Sequence, residues 1–480
     1  MLFDSVIGLE VHAQLKTKTK IFCSCSTEFG KSANANTCPV CIGMPGVLPV
    51  LNYQAVNMAI KACIATNCKI NKKSKFDRKN YFYPDLPKGY QISQYEAPIA
   101  EHGFLKIKTK TNELKKIGIT RIHMEEDAGK LIHDPNRSIS MVDLNRAGTP
   151  LIEIVSEPDL CSASQAGEYL RKLHSILKYI NVCDGNMEQG SFRCDANISL
   201  KPKGQKKLGT RTELKNLNSF KNVEKAILYE IQRQAQVLEN NKKVVQQTRL
   251  WDPSNNKTTP MRGKEDAQDY RYFPEPDLTP LIIDDAWIQS AKKDMPELPE
   301  KKYERFINEY KLTSNDAKIL ISSIKLANFF EEVVAKLENK KQVANWIITN
   351  FLGMLNAHNI SFEESYLSSD SFAKLLLLIE DKRINANAGK IVLEEMIKKS
   401  KQFKSLDPET IVKQKNLEQV SDQFELEEII NKIVDQNPDE EKAYKAGKTK
   451  LFSFFMGQIM KETKGKADPK IITKLLKNKL

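Results

Sequence analysis

The run Leu151-Ile-Glu-Ile-Val155 is short, rich in β-branched residues and typical of a β-strand. It lies in residues 1–292, which hold most of the glycine and proline and many turn signals, such as Arg146-Ala-Gly148. Helical spacing of apolar residues interrupts this part at Ser162 to Ile180 and at Asn222 to Leu238. These patterns predict that the first part of the chain is an α+β domain with antiparallel strands and long functional loops.

The character of the chain changes after Pro296-Glu-Leu-Pro299, where glycine becomes sparse. Asn315 to Leu337 and Asp370 to Ile379 have the periodicity of amphipathic helices, so this part is predicted to be all-α. A polar stretch with one proline, Lys401 to Pro408, is the candidate linker to a last, small all-α unit. We therefore expect three domains, over residues 1–292, 293–405 and 406–480.

Composition excludes several classes of protein. With 28% charged and 40% hydrophobic residues, the 480-residue chain has the balance of a soluble globular protein. It has no run of about twenty uncharged apolar residues, and Asp4 comes too early for a signal peptide. We therefore expect no membrane span and a cytoplasmic protein.

The net charge of +13 is concentrated in the last part of the chain. Between Lys442 and Leu480, eleven lysines stand against two acidic residues, a local excess of +9. Such a density suits a polyanion such as RNA, because each lysine that meets a phosphate releases condensed counterions. A solvated lysine-rich tail explains the composition equally well. Helical spacing predicts that Leu451, Phe454, Phe455 and Ile459 pack inward, while these lysines stay in water: Lys442, Lys445, Lys448, Lys450, Lys461 and Lys464.

Four of the nine cysteines form two close pairs, Cys23-Ser-Cys25 and Cys38-Pro-Val-Cys41, with twelve residues between the pairs. Four thiolates on two short knuckles can close a tetrahedron around zinc and leave no open position for a substrate. The spacing therefore predicts a structural zinc site, with reduced, metal-free cysteines as the alternative.

Glu10 and His12 stand two positions apart, so in a strand both project from one face. His123-Met-Glu-Glu-Asp127 offers a further imidazole and three carboxylates. Together the two groups can supply the oxygen and nitrogen ligands of Mg²⁺. Taken alone, an acidic cluster is also typical of a solvated surface, and His12 is also typical of a structural histidine.

The stretch from Lys79 to Tyr90 places four aromatic residues between basic ones, which suits stacking on bases or ribose while Lys88 meets a phosphate. Tyrosines of the core and prolines that shape a turn are the alternative. Gly190 to Asn197 and Gly209 to Asn218 are more polar than a core strand and predict a cleft wall. Neither phosphate-loop nor dinucleotide-binding glycine motifs are evident, so a nucleotide is expected to be held by a less common device.

Longer strings carry a resemblance to a known family. They are Val6-Ile-Gly-Leu-Glu-Val-His12, Pro45-Gly-Val-Leu-Pro49, Arg78-Lys-Asn-Tyr-Phe-Tyr-Pro-Asp85, His123-Met-Glu-Glu-Asp-Ala-Gly129, the segment Asp143 to Asp159, Asp269-Tyr-Arg-Tyr-Phe-Pro-Glu-Pro-Asp277, Tyr444-Lys-Ala-Gly447 and Phe455-Met-Gly-Gln-Ile-Met460. Through these strings the whole chain resembles the B subunits of aspartyl/glutamyl-tRNA amidotransferases, the GatB/GatE family.

The resemblance implies a cradle domain, a helical domain and a tail domain that touches tRNA. It implies an ATP-dependent carbon–nitrogen ligase in a heterotrimer. An A subunit hydrolyses glutamine to ammonia, and the pair is braced by a small C subunit. The B subunit uses ATP and Mg²⁺ to activate the side-chain carboxylate of misacylated Glu-tRNA(Gln) or Asp-tRNA(Asn), and channelled ammonia then displaces phosphate.

The resemblance also implies roles for individual residues. Glu10, His12 and Glu125 match the family's metal-binding positions, and Glu188 and Asp195 lie in a matching acidic loop. The implied catalytic residues are Glu10, His12, Glu125 and Glu126, and the implied substrate-binding residues are Tyr81, Lys88, Arg193, Arg211 and Lys215. The chain departs from the family pattern at Gln189, Gln247 and Gln268.

Two other functions fit parts of the sequence. One is a noncatalytic tRNA-binding scaffold in which the acidic groups are only solvated. The other is a zinc-ribbon RNA-binding module fused to helices, which the specific strings of the first 280 residues disfavour. ATP cleavage that requires aminoacylated tRNA distinguishes the ligase from both.

Overall fold

The computed structural model describes residues 3–134, 136–261, 269–400, 407–418, 423–463, 467 and 469–480. The chain divides into two compact units, Met1–Pro299 and Glu300–Leu480. Within the described residues every strand lies in the first unit, and the second unit is helical. The predicted α+β fold class is therefore confirmed.

The strands of the described residues are, in chain order, β1 (Phe3–Gln14), β2 (Lys69–Ile70), β3 (Lys73–Ser74), β4 (Asp77–Asn80), β5 (Tyr90–Ser93), β6 (Ala100–Lys108), β7 (Leu114–Glu126), β8 (Lys130–His133), β9 (Ser140–Asp143), β10 (Pro150–Ser156), β11 (Phe192–Pro202), β12 (Thr212–Lys215), β13 (Gln247–Asp252), β14 (Lys257–Pro260), β15 (Phe273–Pro274) and β16 (Leu281–Ile282).

The α-helices are α1 (Tyr53–Ala65), α2 (Ala163–Tyr179), α3 (Phe220–Glu239), α4 (Asp285–Lys293), α5 (Pro299–Asn308), α6 (Ser314–Leu320), α7 (Ile324–Val334), α8 (Lys340–Asn345), α9 (Leu352–Ala357), α10 (Ser369–Glu380), α11 (Ala386–Ser400), α12 (Pro408–Gln414), α13 (Gln423–Asp435), α14 (Pro438–Lys445), α15 (Leu451–Glu462) and α16 (Pro469–Lys479). A π-helical turn, Trp346–Phe351, joins α8 to α9, and Phe362–Glu364 form a short 3₁₀-helix.

A nine-stranded sheet organises the first unit, with the strand order β14-β13-β12-β11-β1-β10-β7-β6-β2. All neighbouring pairs are antiparallel except β12 and β13, which are parallel. The predicted antiparallel strands are thus present, together with one parallel pair. Helix α3 lies between these two strands in the chain, and such a crossover returns the chain in the same direction.

One face of this sheet is covered by α2 and α3 and forms the core of the unit. Both predicted helices are confirmed within two residues at each end. Each begins at a serine whose hydroxyl accepts a backbone N–H, at 3.3 Å from Gln165 N for Ser162 and at 3.1 Å from Asn222 N for Ser219. These caps satisfy N–H groups that the first helical turn leaves unpaired, which explains where the two helices start.

The second unit contains two separate apolar clusters, one drawn from residues 306–417 and one from residues 426–480. The predicted helix over Asn315 to Leu337 is wrong in one respect, because the segment forms two helices, α6 and α7. Ser323 Oγ accepts the backbone N–H of Leu326 at 3.2 Å and so begins a new helix there.

The predicted linker, Lys401 to Pro408, falls mostly on residues 401–406, which lie outside the described residues. Helix α12 begins at Pro408, and its Ile411 and Val412 belong to the first of these two clusters. The proposed third domain, 406–480, therefore includes a helix that packs with the apolar residues before it.

In the last cluster, Phe455 and Ile459 are fully buried, and Phe454 packs partly buried against them. Leu451 is only partly buried. These lysines are exposed, as predicted: Lys442, Lys445, Lys448, Lys450 and Lys461. Lys464 lies outside the described residues. Among the helices of the described residues, none is both long and apolar enough to span a bilayer.

Candidate functional site

The polar face of the main sheet opposes the face that α2 and α3 cover. On β1 the side chains of Leu9 and Val11 are buried in the core, whereas Glu10 and His12 alternate with them and project from the other face. The prediction that Glu10 and His12 share a face is confirmed. Because side chains alternate along a strand, each further polar residue on this face follows from the strand register.

A row of four polar side chains crosses this face at the level of His12. His12 on β1 is paired with Glu153 on β10, Glu153 is paired with His123 on β7, and on the other side His12 is paired with Arg193 on β11. Directly opposed side chains of antiparallel strands lie about 4.5–5.5 Å apart at Cβ. The register thus brings together residues that are up to 181 positions apart in the chain.

Three members of this row, His12, His123 and Glu153, meet Glu125, which lies two residues after His123 on the same face of β7. We call these two imidazoles and two carboxylates the His-Glu cluster. Glu153 Oε2 lies 3.2 Å from His12 Nε2 and 3.4 Å from His123 Nε2. Glu125 Oε1 lies 3.8 Å from His12 Nε2, and Glu125 Oε2 lies 3.7 Å from His123 Nε2. Glu125 and His123 are buried, while His12 and Glu153 are partly exposed.

Mutual attraction outweighs the cost of burial in this cluster. Burial disfavours charged imidazoles, yet Glu153 and Glu125 raise the pKa of His12 and raise the pKa of His123 to about 9. Burial likewise disfavours a charged Glu153, but His123 and His12 hold the pKa of Glu153 well below its usual range. Glu153 and the two imidazoles therefore favour one another's charged forms.

The His-Glu cluster has the donor chemistry of a metal site. Ligand atoms of His12, Glu125 and Glu153 all lie within 4.8 Å of one another. One imidazole nitrogen and two carboxylates suit a hard divalent cation that keeps some of its water. The structure therefore brings His12 and Glu125 together as predicted, and it adds Glu153 to the set.

A second row of polar groups lies beside the first, at Glu10. Glu10 is paired with Asp195 across β1 and β11, and Glu10 Oε1 accepts a hydrogen bond from Asn197 Nδ2 at 2.8 Å. Lys215 Nζ lies 3.0 Å from Asp195 Oδ2 and 3.2 Å from Glu213 Oε1. Burial raises the pKa of Glu10, and the nearby carboxylates of Glu153, Glu213 and Asp195 raise it further.

Arg193 is held in place next to His12. Arg193 Nη2 lies 3.1 Å from Asp127 Oδ1, and Gln14 Nε2 donates to Asp127 Oδ2 at 2.7 Å. Burial works against a charged Asp127, but Arg193 and Arg146 keep the pKa of Asp127 below its ordinary value. Asp127 therefore fixes a guanidinium beside the His-Glu cluster, where it can meet an anion.

Four further predicted site residues, Glu126, Lys88, Glu188 and Arg211, also lie outside the His-Glu cluster. Glu126 follows Glu125 and so projects from the other face, where its carboxylate accepts the backbone N–H of Ile92 at 2.9 Å and pairs with Lys88 Nζ. The Lys88 ammonium is thus engaged by Glu126. Glu188 is exposed in the turn before β11, and Arg211 is exposed beside a groove next to Glu10.

Two of the three positions at which the chain departs from the family pattern also lie away from the cluster. Gln189 is exposed in the turn before β11, and Gln247 is the first residue of β13, where it is paired with Thr212. Gln268 lies outside the described residues.

An aromatic cluster flanks the His-Glu cluster. The Tyr81 and Tyr270 rings are 6.1 Å apart, Tyr270 and Tyr272 are 6.1 Å apart, and Tyr272 stacks on Tyr95 at 4.2 Å. Burial raises the pKa of Tyr81 and of Tyr272, and the nearby Glu125 charge adds to both shifts. Lys79 Nζ lies 4.8 Å from the centre of the Tyr270 ring, a cation–π distance.

The four clustered cysteines converge. Sγ atoms of Cys23, Cys25, Cys38 and Cys41 all lie within 4.8 Å of one another, and the Cys38 and Cys41 sulfurs are 3.9 Å apart. Zinc–sulfur bonds of about 2.3 Å in a tetrahedron place sulfurs about 3.8 Å apart, so this arrangement fits zinc. The buried Lys20 donates to Cys41 Sγ at 3.5 Å, which favours a thiolate there.

Sequence reasoning missed Glu153 and gave no role to Tyr270 or Tyr272, and it considered His123 only as one imidazole of the His123–Asp127 motif. Glu153 carried a signal, because it is a single acidic residue inside an apolar strand. His123 was visible in the motif that supplied Glu125. The two tyrosines carried no local signal, because only the pairing of β15 with β4 brings their segment to the cluster.

Comparison with known proteins gives consistent results. Residues 5–289 match the GatB/GatE catalytic domain, and residues 328–480 match the GatB domain. The chain is 54% identical over 480 residues to the B subunit of the aspartyl/glutamyl-tRNA(Asn/Gln) amidotransferase of Desulfotalea psychrophila, with 100% of both chains covered. It is 50% identical over 481 residues to the protein of that name in Carboxydothermus hydrogenoformans, with 100% of this chain and 99% of the relative covered. It is 52% identical over 476 residues to the one in Thermodesulfovibrio yellowstonii, with 99% of each covered.

Proposed function

The chain belongs to the GatB/GatE family, and on that premise we propose that it is the subunit of a tRNA amidotransferase that activates and amidates the aminoacyl side chain. Its substrates are Glu-tRNA(Gln), Asp-tRNA(Asn) or both, together with ATP and ammonia. The observation that carries the proposal is the His-Glu cluster, in which His12, Glu125 and Glu153 can bind one metal ion on the polar face of the sheet.

The residues present fit a magnesium-dependent phosphoryl transfer to a carboxylate. A carboxylate is a poor electrophile. Transfer of a phosphoryl group from ATP to the carboxylate provides phosphate as a leaving group, which ammonia can displace. His12, Glu125 and Glu153 would hold Mg²⁺, which offsets charge on phosphoryl oxygens when it is bound. Glu10 and Asp195, in the next row, extend the same acidic face.

The remaining polar residues position and neutralise anions. Arg193, fixed by Asp127, offers a guanidinium beside His12 to an anionic group of the substrate. Lys215, held between Asp195 and Glu213, offers a second cation on the same face. Tyr81 belongs to the aromatic cluster, whose rings suit stacking with the bases of an unpaired acceptor end.

Partner subunits complete the proposed reaction. An A subunit supplies ammonia from glutamine and a C subunit joins the heterotrimer, and the naming of the relatives as B subunits supports such an assembly. We assign residues 1–292 to the chemistry, 293–405 to a helical domain and 406–480 to tRNA binding. The cysteine group serves as a structural zinc site, because a closed set of four sulfurs leaves no position for substrate.

The test uses the assembled complex with its A and C partners. ATP cleavage should depend on aminoacylated tRNA, and Glu125→Gln or His12→Ala should lower it roughly 100-fold or more while glutaminase activity of the complex persists. The exposed carboxylate Glu113 provides the control, since Glu113→Gln should change neither activity. Ordinary ATP cleavage in both cluster variants would favour the noncatalytic tRNA-binding scaffold.

A further inference from the structure

The segment that carries two tyrosines of the aromatic cluster also carries an arginine with an unusual backbone. Arg271 lies between Tyr270 and Tyr272 and has a φ of 44°, in the left-handed region. That region is costly for most residues with a Cβ, and glycine and asparagine enter it most readily. Among the described residues, thirteen positions other than glycine have a positive φ, and nine of them are asparagine. Arg271 is therefore an unexpected residue at this position.

Helix ends explain the two other long basic residues with a positive φ, but they do not explain Arg271. Lys311 and Lys382 lie within three residues of the ends of α5 and α10, where a left-handed residue commonly ends a helix. Arg271 lies two residues before β15, and residues 269–272 form neither helix nor strand. The conformation of Arg271 therefore has a different cause.

Backbone contacts hold Arg271 in this conformation. Asp269 Oδ1 accepts the Arg271 N–H at 3.0 Å, and Asn80 Nδ2 donates to the Arg271 carbonyl oxygen at 2.7 Å. Neither contact involves the side chain of residue 271, so an asparagine or a glycine would be held equally well. The local structure thus fixes the backbone of this position without requiring an arginine.

The Arg271 side chain makes no contribution to the fold that would explain its presence. It is exposed, and its guanidinium has no hydrogen-bond or ion-pair partner in the part of the chain that the structure describes. A residue that conflicts with its own backbone conformation and stabilises nothing nearby is typical of a functional position. The guanidinium is therefore available to a group outside the chain.

The rings on either side of Arg271 indicate what that group is. Tyr272 stacks on Tyr95 at 4.2 Å, and Tyr270 has a second cation beside it, Lys79 Nζ at 4.8 Å from the ring centre. Aromatic rings that stack with bases, next to cations that meet the backbone, are typical of sites for single-stranded nucleic acid. A carboxylate of a partner protein would also suit a guanidinium, but it would leave the tyrosine rings without a role.

We infer that Arg271 binds a backbone phosphate of the unpaired acceptor end of the aminoacyl-tRNA, while the neighbouring bases stack on the aromatic cluster. The inference rests on the proposed function and deepens it, because it names a residue that orients the aminoacyl end. Burial raises the pKa of Tyr81 and of Tyr272, and the charge of Glu125 raises both further, so these rings lie near the His-Glu cluster. RNA held on them has its end close to the metal-binding residues.

The test compares two RNAs that bind to the assembled heterotrimer, deacylated tRNA(Gln) or tRNA(Asn) and the same tRNA without its unpaired 3′ nucleotides. Arg271→Asn should weaken binding of the intact tRNA about tenfold, because it removes a charge-assisted hydrogen bond to phosphate. It should also flatten the slope of log K against log salt by about 0.7, the value for one phosphate of a single strand. Binding of the shortened tRNA should be the same in the variant and in the wild-type complex.

Two further variants separate the charge of Arg271 from its structural effect. Arg271→Lys keeps the charge and should restore part of the affinity for intact tRNA. Because asparagine suits a left-handed backbone, Arg271→Asn should leave the melting temperature unchanged or raise it, whereas loss of a structural side chain would lower it. Arg137→Asn, which removes an exposed arginine between β8 and β9, should change neither affinity nor melting temperature.

The outcomes separate this inference from the proposed function. Equal losses for intact and shortened tRNA, or no loss for either, overturn the inference. Loss of heterotrimer assembly at unchanged tRNA affinity also overturns it, because Arg271 would then contact a partner subunit. If Arg271→Asn weakens binding of intact tRNA alone, but the wild-type complex never cleaves ATP, the contact is supported and the proposed ligase chemistry is rejected.

Discussion

Glu153 on β10 lies directly opposite His12 on β1, and Glu153 Oε2 is 3.2 Å from His12 Nε2 and 3.4 Å from His123 Nε2. One carboxylate thus touches an imidazole from each neighbouring strand. The backbone of Glu153 is paired with β1 on one side and β7 on the other, which fixes the direction in which its side chain leaves the sheet. Glu153 is therefore the residue that defines the geometry of the His-Glu cluster.

Glu153→Gln should remove tRNA-dependent ATP cleavage nearly as completely as Glu125→Gln, by roughly 100-fold or more, because the neutral amide is a poor ligand for Mg²⁺ and no longer balances two imidazoles. The assay is ATP cleavage by the heterotrimer over a range of Mg²⁺ concentrations. Glu113→Gln is the matched control on an exposed surface. Full activity of Glu153→Gln at low Mg²⁺ would remove Glu153 from the site.

The cysteine group should hold one zinc ion per chain, measured by metal analysis of protein purified under reducing, zinc-replete conditions. Cys38→Ser should lower both the zinc content and the melting temperature, because it breaks a closed site that joins two knuckles. Cys161→Ser, at an exposed cysteine outside the group, should change neither. A zinc content near zero in the wild-type protein would contradict the assignment.

Glu331 should stabilise the second unit in a pH-dependent way. Its carboxylate lies 2.8 Å from Lys302 Nζ and 2.5 Å from Arg305 Nη2. Burial alone would raise the pKa of Glu331, but Lys302 and Arg305 hold it below the ordinary value of 4.5. A lowered folded-state pKa means that the stabilisation is complete above pH 4.5 and is lost as the pH falls through the folded-state pKa.

Glu331→Gln should accordingly lower the free energy of unfolding by about 1–2 kcal/mol at pH 7, and the difference from the wild-type protein should shrink below pH 4.5. Chemical denaturation at several pH values measures this. Glu338→Gln changes an exposed glutamate in the same unit and should have no such effect. A difference that is the same at pH 7 and pH 3.5 would show that the ion pairs are not its source.

Local patterns in the sequence were sufficient for features formed by neighbouring residues. The spacing of Glu10 and His12 predicted a shared strand face, and the two cysteine pairs predicted a group of four sulfurs, because each depends on a few adjacent positions. Glu153 was missed because its partners lie on strands far away in the chain. The register that joins them is set by the packing of the whole sheet.

The predicted helices show the same difference between features that depend on neighbouring residues and features that depend on the whole fold. Helix α2 was predicted well because its apolar face and its serine cap are both local. The break between α6 and α7 was missed because apolar periodicity continues through it, while Ser323 begins a new helix. Lys88 was assigned to a phosphate because its neighbours are aromatic, but the fold places it against Glu126, which the local sequence did not indicate.

The last prediction concerns the basic tail, which the fold does not allow to be tested by truncation alone. Truncation at residue 406 would remove α12, whose Ile411 and Val412 are buried with residues of the preceding helices, and so would destabilise more than the tail. Substitution of exposed lysines avoids this. Lys448 and Lys450 are exposed in the turn before α15, and their replacement leaves the buried Phe455 and Ile459 untouched.

Lys448→Gln with Lys450→Gln should weaken tRNA binding by the heterotrimer and flatten its salt dependence, by about 0.7 to 0.9 in the slope of log K against log salt for each phosphate that the protein no longer neutralises. Lys292→Gln with Lys293→Gln is the control, because it removes the same charge from exposed lysines of α4 in the first unit. A general reduction of positive charge would affect both pairs alike, whereas direct binding to phosphates would involve only the tail pair. If affinity and slope stay the same in the tail variant, Lys448 and Lys450 are a solvated surface and do not contact tRNA phosphates.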